Sequence, residues 1–369
     1  MTADMPATTD ILAQRRGHLG ILVLNRPQAL NALSLDMIRA LTVHLRAWLD
    51  DPEVGAVLLL GAGRPGRPPA FCAGGDIRFF HAAYHAGDPR MEDFFTEEYA
   101  LDHLIHRYPK PTLVLMDGVT MGGGMGLGQG ARLRVVTETS RLAMPETTIG
   151  LFPDVGGGWF LARCPGRMGE FLGLTGESLG AADAIGVGLA DVRVPAQRLQ
   201  ALVDAVAAET RADGTGALEA ARAHAVEAGD DTPVLAQRDL IDRAFAAPSV
   251  AAIIDILGQE ASDFSHRIAD DLAARSPLML AVTLEQVRRG RTSTLADDLR
   301  MERGVMRHCL HLRPGASDAV EGIRALAIDK DRSPNWNPAR LEDVEPALVQ
   351  QFFASPWPAQ AHPLRHLRD

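Results

Sequence analysis

The run Met121-Gly122-Gly123-Gly124-Met125-Gly126 constrains this chain more than any other stretch. Backbone without side chains takes dihedrals closed to other residues and lets a neighbouring chain or a ligand approach closely. The run comes shortly after a strand-like segment, Pro111 to Met116, and can open a helix. The first N–H groups of a helix lack intrahelical partners and lie at the positive end of its dipole. A second glycine loop, Ala73-Gly74-Gly75, has the same setting, after one strand-like segment and before a helical one. One N–H from each loop, converging on a single point, makes an oxyanion hole, and losing one such donor typically costs about 10²–10³ in rate. Close packing of helices onto strands is the structural alternative for either loop alone. Neither loop matches GxGxxG followed by a distant acid, and no Gly-Lys-Ser/Thr is present, so dinucleotide and P-loop readings fall away.

Around these loops the first part of the chain alternates strands and helices, an α/β pattern. Strands are expected at residues 18–25, 54–60, 111–116, 132–136 and 141–144. Ser34 is a candidate N-cap with Asp36 in the first turn, and Ile38, Leu41, Leu45, Trp48 and Leu49 follow at helical spacing. After Val194 the β-branched runs thin out and helical periodicity takes over. Ser276-Pro277 opens one expected helix, and a second runs from Leu295 to Leu310. The expected organisation is an α/β core over 10–200, a mostly helical region over 201–330 and an irregular tail over 331–369. A length of 369 residues agrees with roughly two domains.

Two carboxylates stand apart from the charged surface runs. They lie in Met144-Pro145-Glu146-Thr147-Thr148-Ile149-Gly150-Leu151-Phe152-Pro153-Asp154-Val155-Gly156-Gly157-Gly158. Acids set among glycines, prolines and apolar residues suit acid, base or nucleophilic work on a polarised carbonyl. A buried ion pair is the alternative for Glu146, and an N-cap of a helix opening near Gly156 is the alternative for Asp154. Glu97 and Glu98 read as part of a solvated helix face.

A net charge of −10 argues against nucleic-acid binding, which relies on excess Lys and Arg. No apolar run reaches the ~20 residues that cross a bilayer, and the first ten residues show no secretory pattern. Cys72, Cys164 and Cys309 are too scattered for a disulfide framework. A cytoplasmic location is therefore expected, with no membrane partner. The pairs His81/His85 and His362/His366 have i, i+4 spacing but no third ligand, so they read as exposed histidines, and no metal is expected.

Leu24-Asn25-Arg26-Pro27, Asn31-Ala32-Leu33, the Phe71–Asp76 loop and the Gly122–Gly124 cluster together resemble the crotonase (enoyl-CoA hydratase/isomerase) superfamily. The Met144–Gly158 segment, with Glu321 to Asp331 and Asn335-Trp336-Asn337-Pro338, is most similar to its 3-hydroxyisobutyryl-CoA hydrolase branch. The resemblance covers nearly the whole chain. It implies a spiral of ββα units with a helical C-terminal region, and an acyl-CoA substrate in which CoA is part of the substrate, with no further cofactor. It also implies an oxyanion hole from the N–H groups of Ala73 and Gly123, with Gly74 and Gly122 beside the substrate. The hydratases of this superfamily carry a glutamate where this chain has Gly126, and their second glutamate is matched by Glu146. The hydrolase branch pairs the equivalents of Glu146 and Asp154 and places the equivalent of Glu98 against substrate. The implied reaction is hydrolysis of 3-hydroxyisobutyryl-CoA or 3-hydroxypropionyl-CoA, in valine breakdown.

Glu146 then attacks the thioester or activates a water, and Asp154 protonates the thiolate or holds the 3-hydroxyl. Of the two acids, Asp154 is expected to have the raised pKa. A Δ3,Δ2-enoyl-CoA isomerase, working with Glu146 alone, is the main rival, and a catalytically silent CoA-thioester-binding protein is the other. Arg26 and Arg78 are candidates for the CoA phosphates by position. The oligomeric state is open, a homo-oligomer included.

Overall fold

The computed structural model describes residues 8–369. Nine strands form two sheets. The larger takes β1 (Ile11–Arg16), β2 (Leu19–Leu24), β3 (Ala56–Gly61), β5 (Thr112–Met116), β7 (Leu133–Val136) and β9 (Val192–Arg193), in that spatial order. The smaller takes β4 (Ala70–Cys72), β6 (Val119–Met121) and β8 (Arg141–Ala143). β1 and β2 are antiparallel, and the other pairs of the larger sheet are parallel. Each of three successive turns adds one strand to the larger sheet, then one to the smaller, then helical structure. Helices α2 (Ile77–Ala86) and α3 (Arg90–His106) follow β4, α4 (Gly123–Gln129) follows β6, and α5 (Gly157–Leu161) follows β8 and a 3-10 turn. This is a ββα spiral.

The parallel strands were legible because both their faces are buried, so they read as continuous apolar runs. Leu19, Ile21, Ala56, Leu58, Leu113, Leu115, Leu133 and Val135 share one face and pack with Leu202, Val206, Ala217 and Ala221. Fully burying a side chain such as Leu or Ile stabilises the fold by about 1.5–3 kcal/mol. Helix α1 (Leu35–Leu49) starts where its cap predicts, the Ser34 hydroxyl accepting the Met37 N–H at 3.3 Å. β1 has only one buried residue among six and gave no apolar signal to find it by.

The compact units do not follow the three consecutive regions expected. One holds residues through Gly75, Ala100–Leu142 and Ser178–Leu235; the other holds Asp76–Tyr99, Ala143–Glu177 and Ala236–Asp369. The chain passes repeatedly from one to the other because the spiral returns to its sheets after each excursion. In the second unit, helix Pro277–Gly290 lies directly against α5: a Cβ at Gly290 would stand 2.0 Å from the Gly158 carbonyl oxygen. The expected irregular tail contains a helix, Pro346–Phe352. His362 there is buried and its Nε2 meets the Arg300 carbonyl at 3.1 Å, so it is a packed residue and not an exposed one.

Candidate active site

The second unit brings together the acids singled out above. Glu146 opens a 3-10 turn, Glu146–Ile149, that ends at Gly150 in the left-handed region, φ +68°. That glycine is required twice over, since a Cβ there would stand 2.3 Å from the Asp318 carbonyl oxygen. The turn is held down by Thr147, whose hydroxyl donates to the Leu174 carbonyl, and by Arg275, which donates to the Thr148 hydroxyl and the Thr175 carbonyl. Glu146 is 8% exposed. Among the described residues no cation pairs with it, and its Oε2 has no hydrogen-bond partner. The ion-pair alternative is thereby removed.

Asp154, also buried, accepts the Tyr99 hydroxyl at 2.7 Å. It does not cap α5: the N-cap is Gly156, and Asp154 contributes only its carbonyl, to the Gly157 N–H. Val155 follows with φ +55°. A β-branched residue in that region is an outlier, of the kind that costs about 1–3 kcal/mol and persists only where its surroundings enforce it. Glu98 is buried beside Tyr99 in α3, so the expected solvated face does not hold for it, while Glu97 is half-buried.

Burial pushes both acids up. Asp154 rises to about 6, held back by the Tyr99 hydroxyl and a backbone hydrogen bond that favour its ionised form. Glu146 rises well above the usual carboxylate range through burial and the nearby Asp154 charge. The expectation that Asp154 would be the raised member is therefore corrected: both rise, and of the two Asp154 has the tyrosine hydroxyl that favours its ionised form. Tyr99 itself is pushed up by burial and by Asp154, and remains a neutral donor.

Three further groups were missed from sequence. Glu302 and Asp298, on helix Leu295–His311, and Gln286 are fully buried and hydrogen-bond the backbone around Asp154. Two acids one turn apart on an amphipathic helix ordinarily mark its wet side. The available signal was that Asp298 and Glu302 fall among Leu299, Val305 and Met306 on the apolar stripe.

The glycine loops lie in the first unit and meet there. A Cβ at Gly74, which has φ +100°, would lie 3.7 Å from both the Gly122 Cα and the Gly123 nitrogen. A Cβ at Gly124 would stand 2.4 Å from the Cys72 carbonyl oxygen. Gly123 is the first residue of α4, so its N–H has no helical acceptor. Ala73 is different. Its N–H donates to the Leu30 carbonyl at 3.0 Å, which corrects the expectation that it is a free oxyanion donor. Leu30 is fixed there because Leu30 and Asn31 are both left-handed, with φ +52° and +56°. The buried Asn31 side chain ties this turn to the Ala62 and Ala70 carbonyls and the Arg26 N–H. Gly75 forms a parallel bridge with Leu33, which turns its own N–H away from that strand. No acceptor meets the Gly75 N–H among the described residues. The donor this loop offers is Gly75.

Arg26 donates to the Ala32 carbonyl and Arg78 is exposed. His81 and His85 lie on α2 with Nε2 atoms 3.3 Å apart. Among the described residues no three or more His, Cys, Asp or Glu are grouped to hold a metal ion, and no helix is long and apolar enough to cross a membrane.

The profile of the enoyl-CoA hydratase/isomerase family matches residues 19–353. The mitochondrial 3-hydroxyisobutyryl-CoA hydrolase of Rattus norvegicus is 41% identical over 353 residues, 94% of this chain and 89% of that protein. The Homo sapiens protein of the same name is 38% identical over 359 residues, 96% and 91% of the two chains. Among solved structures, a carnitinyl-CoA dehydratase from Mycobacterium thermoresistibile superposes with a TM-score of 0.86 at 40% identity, covering 94% of this chain and 97% of that one. An enoyl-CoA hydratase from Rhodobacter sphaeroides 2.4.1 gives 0.85 at 40% identity, covering 94% and 98%. With its ββα spiral, its paired glycine loops and a match over nearly its full length, the chain belongs to the enoyl-CoA hydratase/isomerase family.

Proposed function

We propose that this protein hydrolyses the thioester of a small 3-hydroxyacyl-CoA, 3-hydroxyisobutyryl-CoA or 3-hydroxypropionyl-CoA, to the free acid and CoA. The observation that carries the reading is the acid set. Glu146 and Asp154 are buried close enough for the Asp154 charge to act on Glu146, and Gly126 leaves no carboxylate where hydration of an enoyl-CoA needs its second one. The relatives named as hydrolases support this choice over the solved structures named as hydratase and dehydratase.

In this mechanism the Gly75 and Gly123 N–H groups stabilise the charge that develops on the thioester oxygen. Ionised Glu146 either attacks the carbonyl carbon, giving an acyl anhydride, or takes a proton from the water that attacks. The C–S bond breaks and the thiolate leaves with a proton from Asp154 or from solvent. In the anhydride course, water then returns Glu146 and releases the acid. Asp154 in its other role, and Glu98, hold the 3-hydroxyl group. The reaction needs no cofactor beyond the CoA of the substrate and belongs to valine breakdown. A cytoplasmic location is part of the proposal.

The test is release of CoA thiol from 3-hydroxyisobutyryl-CoA, with crotonyl-CoA and a 3-enoyl-CoA alongside, for wild type and Glu146→Gln. Thiol release that collapses in the variant, with the enoyl substrates untouched, supports hydrolysis. Double-bond migration without thiol release overturns it in favour of an isomerase, and hydration of crotonyl-CoA overturns it in favour of a hydratase.

A further inference from the structure

The N-terminus of α5 is not capped locally. Its N-cap, Gly156, has no side chain to offer, and the N–H groups are satisfied from another helix. Glu302 Oε2 accepts the Gly156 N–H at 2.7 Å, Glu302 Oε1 accepts the Gly158 N–H at 2.9 Å, and Asp298 Oδ2 accepts the Trp159 N–H at 2.8 Å. On the other side of Asp154, Gln286 Nε2 donates to the Pro153 carbonyl at 2.6 Å and to Glu302 Oε1 at 2.9 Å. One cluster thus grips the backbone both before and after Asp154, across the left-handed Val155.

Asp298 lies one helical turn before Glu302, so the two buried carboxyls are electrostatic neighbours. Burial pushes Asp298 up to about 7 and lifts Glu302 well above the ordinary carboxylate range. The titratable groups facing the cluster are Tyr99 from α3, with Asp154 and Glu98 around it, and Arg163 from the end of α5. Arg303, the next residue on the same helix, is committed elsewhere, to Thr96 and Glu92.

We propose that Gln286, Glu302 and Asp298 are positioning residues that hold the strained Asp154 turn, and so set the Asp154 carboxyl against the Tyr99 hydroxyl for the reaction. This deepens the hydrolase reading and rests on it. Both Glu302 oxygens accept backbone N–H groups, so an amide at position 302 keeps one acceptor and sets its NH₂ against the other N–H, whereas alanine removes both acceptors.

The test compares wild type, Glu302→Gln, Glu302→Ala and Gln286→Leu in two measurements. One is the rate of thiol release per folded molecule across pH; the other is amide hydrogen exchange of the 153–160 peptide. Glu302→Gln is expected to fall between wild type and Glu302→Ala, with about a 10-fold loss in kcat and a smaller rise in exchange. Glu302→Ala is expected to lose about 100-fold in kcat with KM little changed, and to exchange about 10-fold faster over 153–160. Its rate limb from Asp154 moves to higher pH as the Tyr99 contact loosens. Gln286→Leu removes one donor, with about a 10-fold loss in kcat, and decides the matter if Glu302→Ala fails to fold. In Glu302→Ala, faster exchange with wild-type kcat and pH profile overturns the proposal, as does unchanged exchange. If wild type releases no thiol, the hydrolase reading fails by itself. Exchange then still decides the clamp: faster exchange over 153–160 in the alanine variant sustains it, and unchanged exchange overturns it.

Discussion

Replacing Tyr99 with Phe removes one hydroxyl and leaves the ring in place. Tyr99 is fully buried, packs 6.4 Å from the Phe95 ring, and its hydroxyl is 2.7 Å from Asp154 Oδ2. Hydrogen bonds to charged groups contribute about 1.5–3 kcal/mol. One pKa unit is worth about 1.36 kcal/mol, so the lost bond converts to roughly 1–2 units. The direction follows from what the bond favours. The hydroxyl donates to the ionised carboxylate, so its loss moves Asp154 upward from about 6 to roughly 7–8. At pH 7 the ionised share of Asp154 falls from about nine-tenths to between a half and a tenth. The assay is the pH profile of kcat/KM for thiol release between pH 5 and 9, for wild type and Tyr99→Phe. The limb nearest pH 6 is expected to move up by at least one unit, whether Asp154 works as the acid or as the holder of the 3-hydroxyl. Because Glu146 and Asp154 interact, the limb belongs to the pair, and its displacement is the quantity that counts. A limb that stays put, or moves to lower pH, would refute the assigned role of the hydroxyl.

Four further outcomes are expected. Glu146→Gln lowers kcat by about 10³-fold or more, with a denaturation midpoint at or above wild type, since Oε2 has no partner to lose. Gly124→Ala forces a Cβ to within 2.4 Å of the Cys72 carbonyl oxygen; guanidinium denaturation should show a loss of about 1–3 kcal/mol, and thiol release should drop with it. Arg303→Met withdraws a buried guanidinium from Thr96 and Glu92, while Arg307 and His311 still face Glu92, and is expected to cost about 1–3 kcal/mol by the same assay. Asp298 has a folded-state pKa of about 7, above its ordinary value of 3.8. Its contribution is complete below about pH 4 and is lost as pH rises through 7, on the order of 4 kcal/mol at most. Denaturation midpoints at pH 5 and pH 7.5 should differ more in wild type than in Asp298→Asn.

Some of this molecule could be read without coordinates because the forces involved act over a few residues. The buried parallel strands betray themselves as apolar runs, Ser34 caps α1 through its own side chain, and Pro145 and Pro153 mark Glu146 and Asp154 as acids outside any charged face. What lay hidden depends on groups remote in sequence. The partner of Asp154 is Tyr99, and the backbone beyond it is held by Glu302, 146 positions from Gly156 and 144 from Gly158. No periodicity encodes such a pairing, and an i, i+4 pair of acids reads as solvated until burial is known. The choice between Ala73 and Gly75 is of the same kind. Both sit in one glycine loop with an N–H to give, and only the left-handed turn at Leu30 and Asn31 shows which of them is already taken. Local chemistry in the sequence determined which residues are able to react; the tertiary structure, by spending some donors and burying some charges, decided which remain free to do so.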